Sequence, residues 1–352
     1  MNSTKYLLTA FIFILLVINN IAAQSGRIEK IDQLMNEANR GGVFNGNVLI
    51  AEKGKIVYQQ SFGFASGAKT ARLDADYRFN IGSIAKEFNA VGIMILKERG
   101  KLNLDDKVSK FLPELPAWAE KITVKNLLQY ASGLPDINWK NVKGDADVLR
   151  DLRAAEKLNF EPGAKYAYSN SNTFVQRQII ERISKMSFNR FVEKEMLKPC
   201  RMKASIVDPD LRGGKKLAVA FNNQSVEDAR QFTYPMSGWT SVTARDLYHW
   251  TECLHDEKLI KRQSLFEILE PFAPGNQAGL GGGKQENGRL KEHYHHGSSF
   301  DFEALMSSEI STDTTIILLT NNKNSKLFEL RDAIGNILAG KPYETPQKTA
   351  GK

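Results

Sequence analysis

The chain has 352 residues, a formal net charge of +8, and two cysteines. Basic and acidic residues are interspersed, and no basic run is interleaved with aromatics, so an ordinary solvated surface is expected rather than a nucleic-acid partner. Cys200 and Cys253 allow one disulfide at most, or two buried free thiols, and neither has a histidine at a metal or nucleophile spacing.

Met1–Lys5 carries one positive charge, Tyr6–Ile21 is nearly all apolar, and Ala22-Ala23-Gln24 supplies small residues before a polar segment. This reads as a secretory signal peptide over 1–23, which implies a periplasmic or secreted protein. Asn19 and Asn20 interrupt the apolar core, which falls short of the ~20 residues that span a bilayer, and no cysteine follows it to carry a lipid, so no membrane anchor is expected after cleavage. The remainder, about 330 residues, suffices for one large domain or two closely packed ones.

Ile28 to Asn39 has helical spacing and stops at Gly41-Gly42. Residues 47–51 and 56–62 flank a turn containing Gly54, a β-hairpin pattern. Next comes Arg78-Phe79-Asn80-Ile81-Gly82-Ser83-Ile84-Ala85-Lys86-Glu87-Phe88, where apolar residues recur at 84, 88, 91 and 95 until Gly100, predicting a buried helix with Ser83 in its first turn. From about 101 to 210 the pattern is short helices broken by Pro and Gly, with Thr123 as a cap and with runs at 145–158, 171–184 and 188–197. Strands are expected at 216–222, 289–293, 302–306 and 315–319, helices at 244–255 and 327–338, and a polar tail at 341–352. The strand-rich ends, about 24–100 and 211–340, then form one α/β body with the helical region inserted.

Ser83 and Lys86 share a helix face at i, i+3, and the free N–H groups and positive dipole of a first turn favour negative charge on a hydroxyl there. A serine beside a desolvated amine is an activated nucleophile; the plain alternative is a capping serine and a surface lysine. Ser66-Gly67-Ala68-Lys69 repeats the spacing, but in a glycine-interrupted stretch whose lysine need not point the same way. Tyr168-Ser169-Asn170 lies in a loop after Pro162-Gly163, where a phenol can take a serine proton and an amide can orient a substrate, unless the tyrosine merely packs at a helix entry. His295-His296-Gly297-Ser298 joins a strand to the next, where an edge N–H can receive an oxyanion. Three of the five histidines cluster here, so zinc is weighed against an exposed turn and an active site, but no carboxylate or cysteine spacing completes a zinc set and His-Glu-x-x-His is absent. No Gly-x-Ser-x-Gly elbow occurs either.

With Ser83-x-x-Lys86, Tyr168-x-Asn170 and His295-x-Gly297 in that order, the chain resembles the serine β-lactamase and penicillin-binding-protein-like family, on its class C-like side, over about residues 43–340. The resemblance implies an α+β fold, an antiparallel sheet flanked by helices with an inserted all-helical subdomain, the site lying in the cleft. By position it implies Ser83 as acylated nucleophile, Lys86 as the group that tunes it and Tyr168 as general base. It also implies Asn170, His295 and Gly297 at the substrate, and the backbone N–H groups of Ser83 and Ser298 as oxyanion hole. No cofactor is implied. Two departures stand out: His295 where the family has lysine, and Tyr130 where a histidine commonly precedes Ser132-Gly133, for which a packing consequence is expected. A largely neutral imidazole holds a carboxylate less well than an ammonium, which is similar to the esterase and D-aminopeptidase branches. The expected activity is therefore acyl-enzyme hydrolysis of a small-molecule or peptide substrate, cell-wall derived or otherwise: an ester, a D-amino-acid amide or, less favoured, a β-lactam. The alternative is a penicillin-binding or sensor protein that acylates without turnover.

Overall fold

Lys53 and Gly54 both sit at positive φ, 54° and 69°, the two-residue turn whose twist matches that of the strands it joins. Asn287 and Gly288, at 51° and 68°, make the same turn near the other end of the chain. These two turns bracket the main sheet of the computed structural model, which describes residues 25–207, 216–227 and 240–348. The expected signal peptide lies outside the described residues.

The strands are β1 (Gly46–Glu52), β2 (Lys55–Phe62), β3 (Phe79–Asn80), β4 (Ser241–Val242), β5 (Gly282–Glu286), β6 (Arg289–Ser299), β7 (Phe302–Glu309) and β8 (Thr314–Thr320). Six of them form one sheet in the order β2-β1-β8-β7-β6-β5, every neighbouring pair antiparallel. β3 and β4 pair separately. The helices are α1 (25–40), then α2 (Lys86–Glu98), α3 (Val108–Phe111), α4 (Val124–Leu128), α5 (Asp145–Ala154), α6 (Asn170–Ser184), α7 (Phe188–Val192), α8 (Ala244–His255), α9 (Arg262–Leu269) and α10 (Leu327–Leu338). The fold is therefore α+β, an antiparallel sheet flanked by helices. Among the described residues of 101–207, strand pairing is limited to single-residue bridges, so the inserted segment is helical.

Two compact units divide at Asn45/Gly46 and Lys323/Asn324. The smaller contains α1 and α10, where Arg27 Nη1 donates to the Leu338 carbonyl at 3.2 Å and Thr345 Oγ1 to Glu37 Oε2 at 2.7 Å. The larger, Gly46–Lys323, holds the sheet and α2 to α9.

In that unit α2 is buried on all sides from Lys86 to Leu96, the signature of a central helix. Phe88 stacks on Trp250 of α8 with ring centroids 4.2 Å apart, and burying such side chains stabilises by about 1.5–3 kcal/mol each. At Gly92 a Cβ would lie 2.7 Å from Ile180, so the missing side chain lets α6 approach. Thr123 caps α4 through a reciprocal box with Asn126, as the sequence predicts. Cys200 and Cys253 are disulfide-bonded, with Cα atoms 5.4 Å apart, which resolves the choice left open by their number.

Several expectations need correction. Residues 216–222 form no strand, only isolated bridges from Leu217 and Phe221. The helix expected over 145–158 ends at Ala154, and the one over 188–197 changes at Glu193 into a wider helical turn. His295 to Ser299 lies within β6 rather than in a connection after it. The short α9 and the edge strand β5 are additions; β5 is polar and largely exposed, so it carries no apolar alternation.

Candidate active site

Ser83 sits not in the first turn of α2 but in a 3-10 turn, Gly82–Ala85, that leads into it. The Asn80 side chain accepts from the Gly82 N–H at 2.9 Å, and Gly82 takes φ +52°, which a glycine adopts without steric cost. This turn presses on β6. A Cβ on Gly82 would lie 2.5 Å from the Ser298 amide nitrogen, and one on Gly297 would overlap the Ile81 carbonyl and lie 3.0 Å from the Ser83 amide nitrogen. The two glycines thus bring the backbone amides of Ser83 and Ser298 to the same place.

Lys86, on the first residue of α2, is 5% exposed and donates through Nζ to Ser83 Oγ at 3.1 Å. Tyr168 O–H donates to the same oxygen at 2.9 Å, and Lys86 Nζ lies 5.2 Å from the centre of the Tyr168 ring. One hydroxyl oxygen therefore has both the Lys86 amine and the Tyr168 phenol on it.

The Tyr168 loop is held by the stretch around Tyr130. Ala167 N–H donates to the Tyr130 carbonyl at 2.9 Å and Asn159 N–H to that of Gly133 at 2.8 Å. Ser132 Oγ donates to Asn172 Oδ1 of α6 at 2.6 Å. The buried Tyr130 ring stands 4.8 Å from that of Tyr168; burial, reinforced by the neighbouring phenols, pushes the Tyr130 hydroxyl well up in pKa and keeps it neutral. The departure at position 130 therefore packs on the site itself. Asn170 opens α6 immediately after the capping Ser169, which fixes its position two residues from Tyr168.

On β6 the alternation of a strand turns His293, His295 and Gly297 to one face. His295, expected at the substrate, is 2% exposed. A Cβ on Gly281 would lie 2.5 Å from its ring, and its Nδ1–H donates to Glu87 Oε1 at 2.8 Å. His293 Nε2 reaches the same oxygen at 3.2 Å, and Trp250 Nε1–H donates to Glu87 Oε2 at 2.7 Å. His255 Nε2 lies 3.1 Å from His293 Nδ1. The residue next to Lys86 is thus a fully buried carboxylate held by two imidazoles and an indole.

Burial alone pushes the Glu87 carboxyl up, but the charge and hydrogen bonds of His293 and His295 outweigh it and hold it at about 2. Burial lowers His255 to about 3, and it also lowers His295 against the opposing pull of Glu87. His296, on the opposite face, lies 2.8 Å from Glu303 Oε1. Among the described residues no group of three or more His, Cys, Asp or Glu is arranged to hold a metal ion.

Glu87, Trp250 and His255 were not singled out from the sequence. A signal existed for Glu87: it lies three residues after Ile84 on a helix whose apolar steps already mark it as buried, and a carboxylate there must be paired.

The family model described as Beta-lactamase matches residues 28–340. Penicillin-binding protein 4* of Bacillus subtilis (strain 168) is 28% identical over 346 residues, covering 88% of this chain and 75% of its own. Among solved structures, a penicillin binding protein from Bacillus halodurans aligns with a TM-score of 0.76 at 21% identity, over 87% of this chain and 99% of that one. A class C β-lactamase aligns with a TM-score of 0.76 at 18% identity, over 91% and 98%. Both structures bear on the fold.

Proposed function

The chain belongs to the Beta-lactamase family, and from that premise we propose that it is an exported serine hydrolase working through an acyl-enzyme on Ser83. The observation that carries this reading is the Ser83 hydroxyl oxygen with Lys86 Nζ at 3.1 Å and the Tyr168 phenol at 2.9 Å. Tyr168 acts as general base, taking the Ser83 proton while Oγ attacks the substrate carbonyl. The amides of Ser83 and Ser298 receive the developing oxyanion. Tyr168 then passes the proton to the leaving group and activates the water that releases the acyl chain. Asn170 orients the substrate amide. Gly297 acts through its missing side chain, and His295 acts through Glu87, as a positioning residue behind the nucleophile.

The substrate class favoured is an ester or a D-amino-acid peptide or amide, with a β-lactam below them, because the buried His295 puts no fixed cation at the place of the family's lysine. The name of the B. subtilis relative says that it binds penicillin, so acylation by a penicillin belongs among the tests. The Met1–Ala23 segment supports export to the periplasm or medium.

The experiment is turnover of p-nitrophenyl butyrate, a D-alanyl p-nitroanilide and a chromogenic cephalosporin by wild type and Ser83→Ala, with and without a chelator. Activity that vanishes in Ser83→Ala and ignores the chelator supports the reading; full activity in Ser83→Ala overturns it. A long-lived penicillin adduct by intact mass, without turnover of any substrate, would instead point to a sensor.

A further inference from the structure

Arg289 and Lys291 open β6 and, by the alternation of a strand, share the face that carries His293, His295 and Gly297 further along. Between this end of β6 and the helices α8 and α9 lies a cavity of about 330 Å³, a size that holds small organic ligands. It is remote from the nucleophile: Lys291 and Ser298 stand seven residues apart on one strand, about 23 Å at the rise of a strand. His255, whose Nε2 lies 3.1 Å from Nδ1 of the buried His293, forms its wall toward the core. Leu265 of α9, Leu290 of β6 and Ile310, just after β7, give it an apolar lining.

Three cations, Arg262, Arg289 and Lys291, line this cavity against one carboxylate, Glu257. That carboxylate is already engaged: Glu257 Oε1 lies 2.5 Å from Arg262 Nη2, and its Oε2 accepts from the Arg262 N–H at 3.1 Å. Lys291 is held loosely, its Nζ 3.6 Å from Glu286 on the exposed edge strand β5. Among the described residues no carboxylate pairs with Arg289. Two like charges on one strand face, beside an apolar hollow, repel each other until an anion comes between them. We infer that this cavity is a second binding site, for a small organic anion: a carboxylate or phosphate group on Arg289 and Lys291, with an apolar body against Leu265, Leu290 and Ile310. A guanidinium takes either oxyanion through two parallel N–H bonds. No bond is made or broken, and the inference stands apart from the reading of Ser83.

The test titrates the protein calorimetrically at low salt with 2-naphthoate and 2-naphthyl phosphate, and with 2-naphthamide as the neutral counterpart. At least one of the two anions is expected to bind at a single site, about tenfold or more tightly than the amide, and the tighter of the two identifies the head group. In Arg289→Glu, a change at an exposed position, that preference is lost; in Ser83→Ala it is retained. The histidine ring signals locate the site, since the chain has only five histidines. The bound anion should shift His255 at the cavity wall and leave His296, which faces Glu303 further along β6, unmoved. No binding of either anion at millimolar concentration overturns the inference, as does equal affinity for the anions and the amide. A preference that survives Arg289→Glu also overturns it. Binding that disappears in Ser83→Ala, or that shifts His296 and not His255, places the probe in the active-site cleft and overturns it too.

Discussion

Ser66-Gly67-Ala68-Lys69 and Ser83-Ile84-Ala85-Lys86 are spelled alike and end up in different chemistry. In the first, the Lys69 N–H donates to the Ser66 carbonyl at 3.1 Å, Lys69 turns to φ +57°, and its side chain is exposed. In the second, the turn runs on into α2, Lys86 is buried, and its ammonium stays on the Ser83 hydroxyl. Serine and lysine at i, i+3 meet only where the helix continues, so that both share a face, and where a second element presses on that face and buries the lysine. Around Ser83 that element is β6, and a third, the Tyr168 loop, brings a phenol to the same hydroxyl.

The sharpest way to break this comparison is to remove each hydroxyl. Ser83→Ala is expected to lower kcat/KM at least about a thousandfold on the preferred substrate, the scale seen when a nucleophile is lost. Ser66→Ala should leave it unchanged, and comparable losses in both would mean that the contrast is false. Next in size is Gly297→Ala, which keeps both the Ser83 and Lys86 side chains but pushes the Ile81–Ser83 turn off β6. A displacement of about 1 Å at the nucleophile costs on the order of a hundredfold in kcat/KM, which steady-state kinetics on the soluble variant would measure.

The buried side of the site predicts a stability effect. Glu87→Gln removes a carboxylate that two imidazoles and an indole hold, and breaking such a network costs about 3–5 kcal/mol, readable from urea unfolding. The same network sets a pH dependence. His255 has a folded pKa of about 3 against an ordinary 6.5, so the unfolded chain takes up its proton first; that contribution is whole above 6.5 and is lost as pH falls toward 3. His295, lowered for the same first cause, has the same sign. Glu87, held at about 2 against 4.5, adds a loss that begins below 4.5 and continues toward 2. Tm should therefore fall steadily on acidification from neutral pH, and less steeply below 6.5 in His255→Gln; a Tm that rises on acidification would contradict the assigned network. The smallest effect is expected from Lys69→Ala, within about 0.5 kcal/mol of wild type in stability.

The sequence by itself determined the local elements and the order of the site motifs. Thr123 with Asn126, the glycine after Lys53, and the apolar steps from Ile84 to Ile95 act through neighbours in the chain, so each can be read where it stands. Asn287-Gly288 was as legible, and would have placed the polar strand β5. The tertiary structure decided the rest. It chose which Ser-x-x-Lys is on the sheet, continued β6 through His295 and Gly297, and joined Cys200 to Cys253. It also set the partners of Glu87, which lie 163, 206 and 208 residues away. The physical reason is that the burial of a charge, and what neutralises it, depend on elements brought together by packing, for which no local propensity exists. The histidine at 295 shows this most plainly. Its place in the third motif pointed to substrate, and its side chain instead lies behind Ser83, holding the carboxylate next to Lys86.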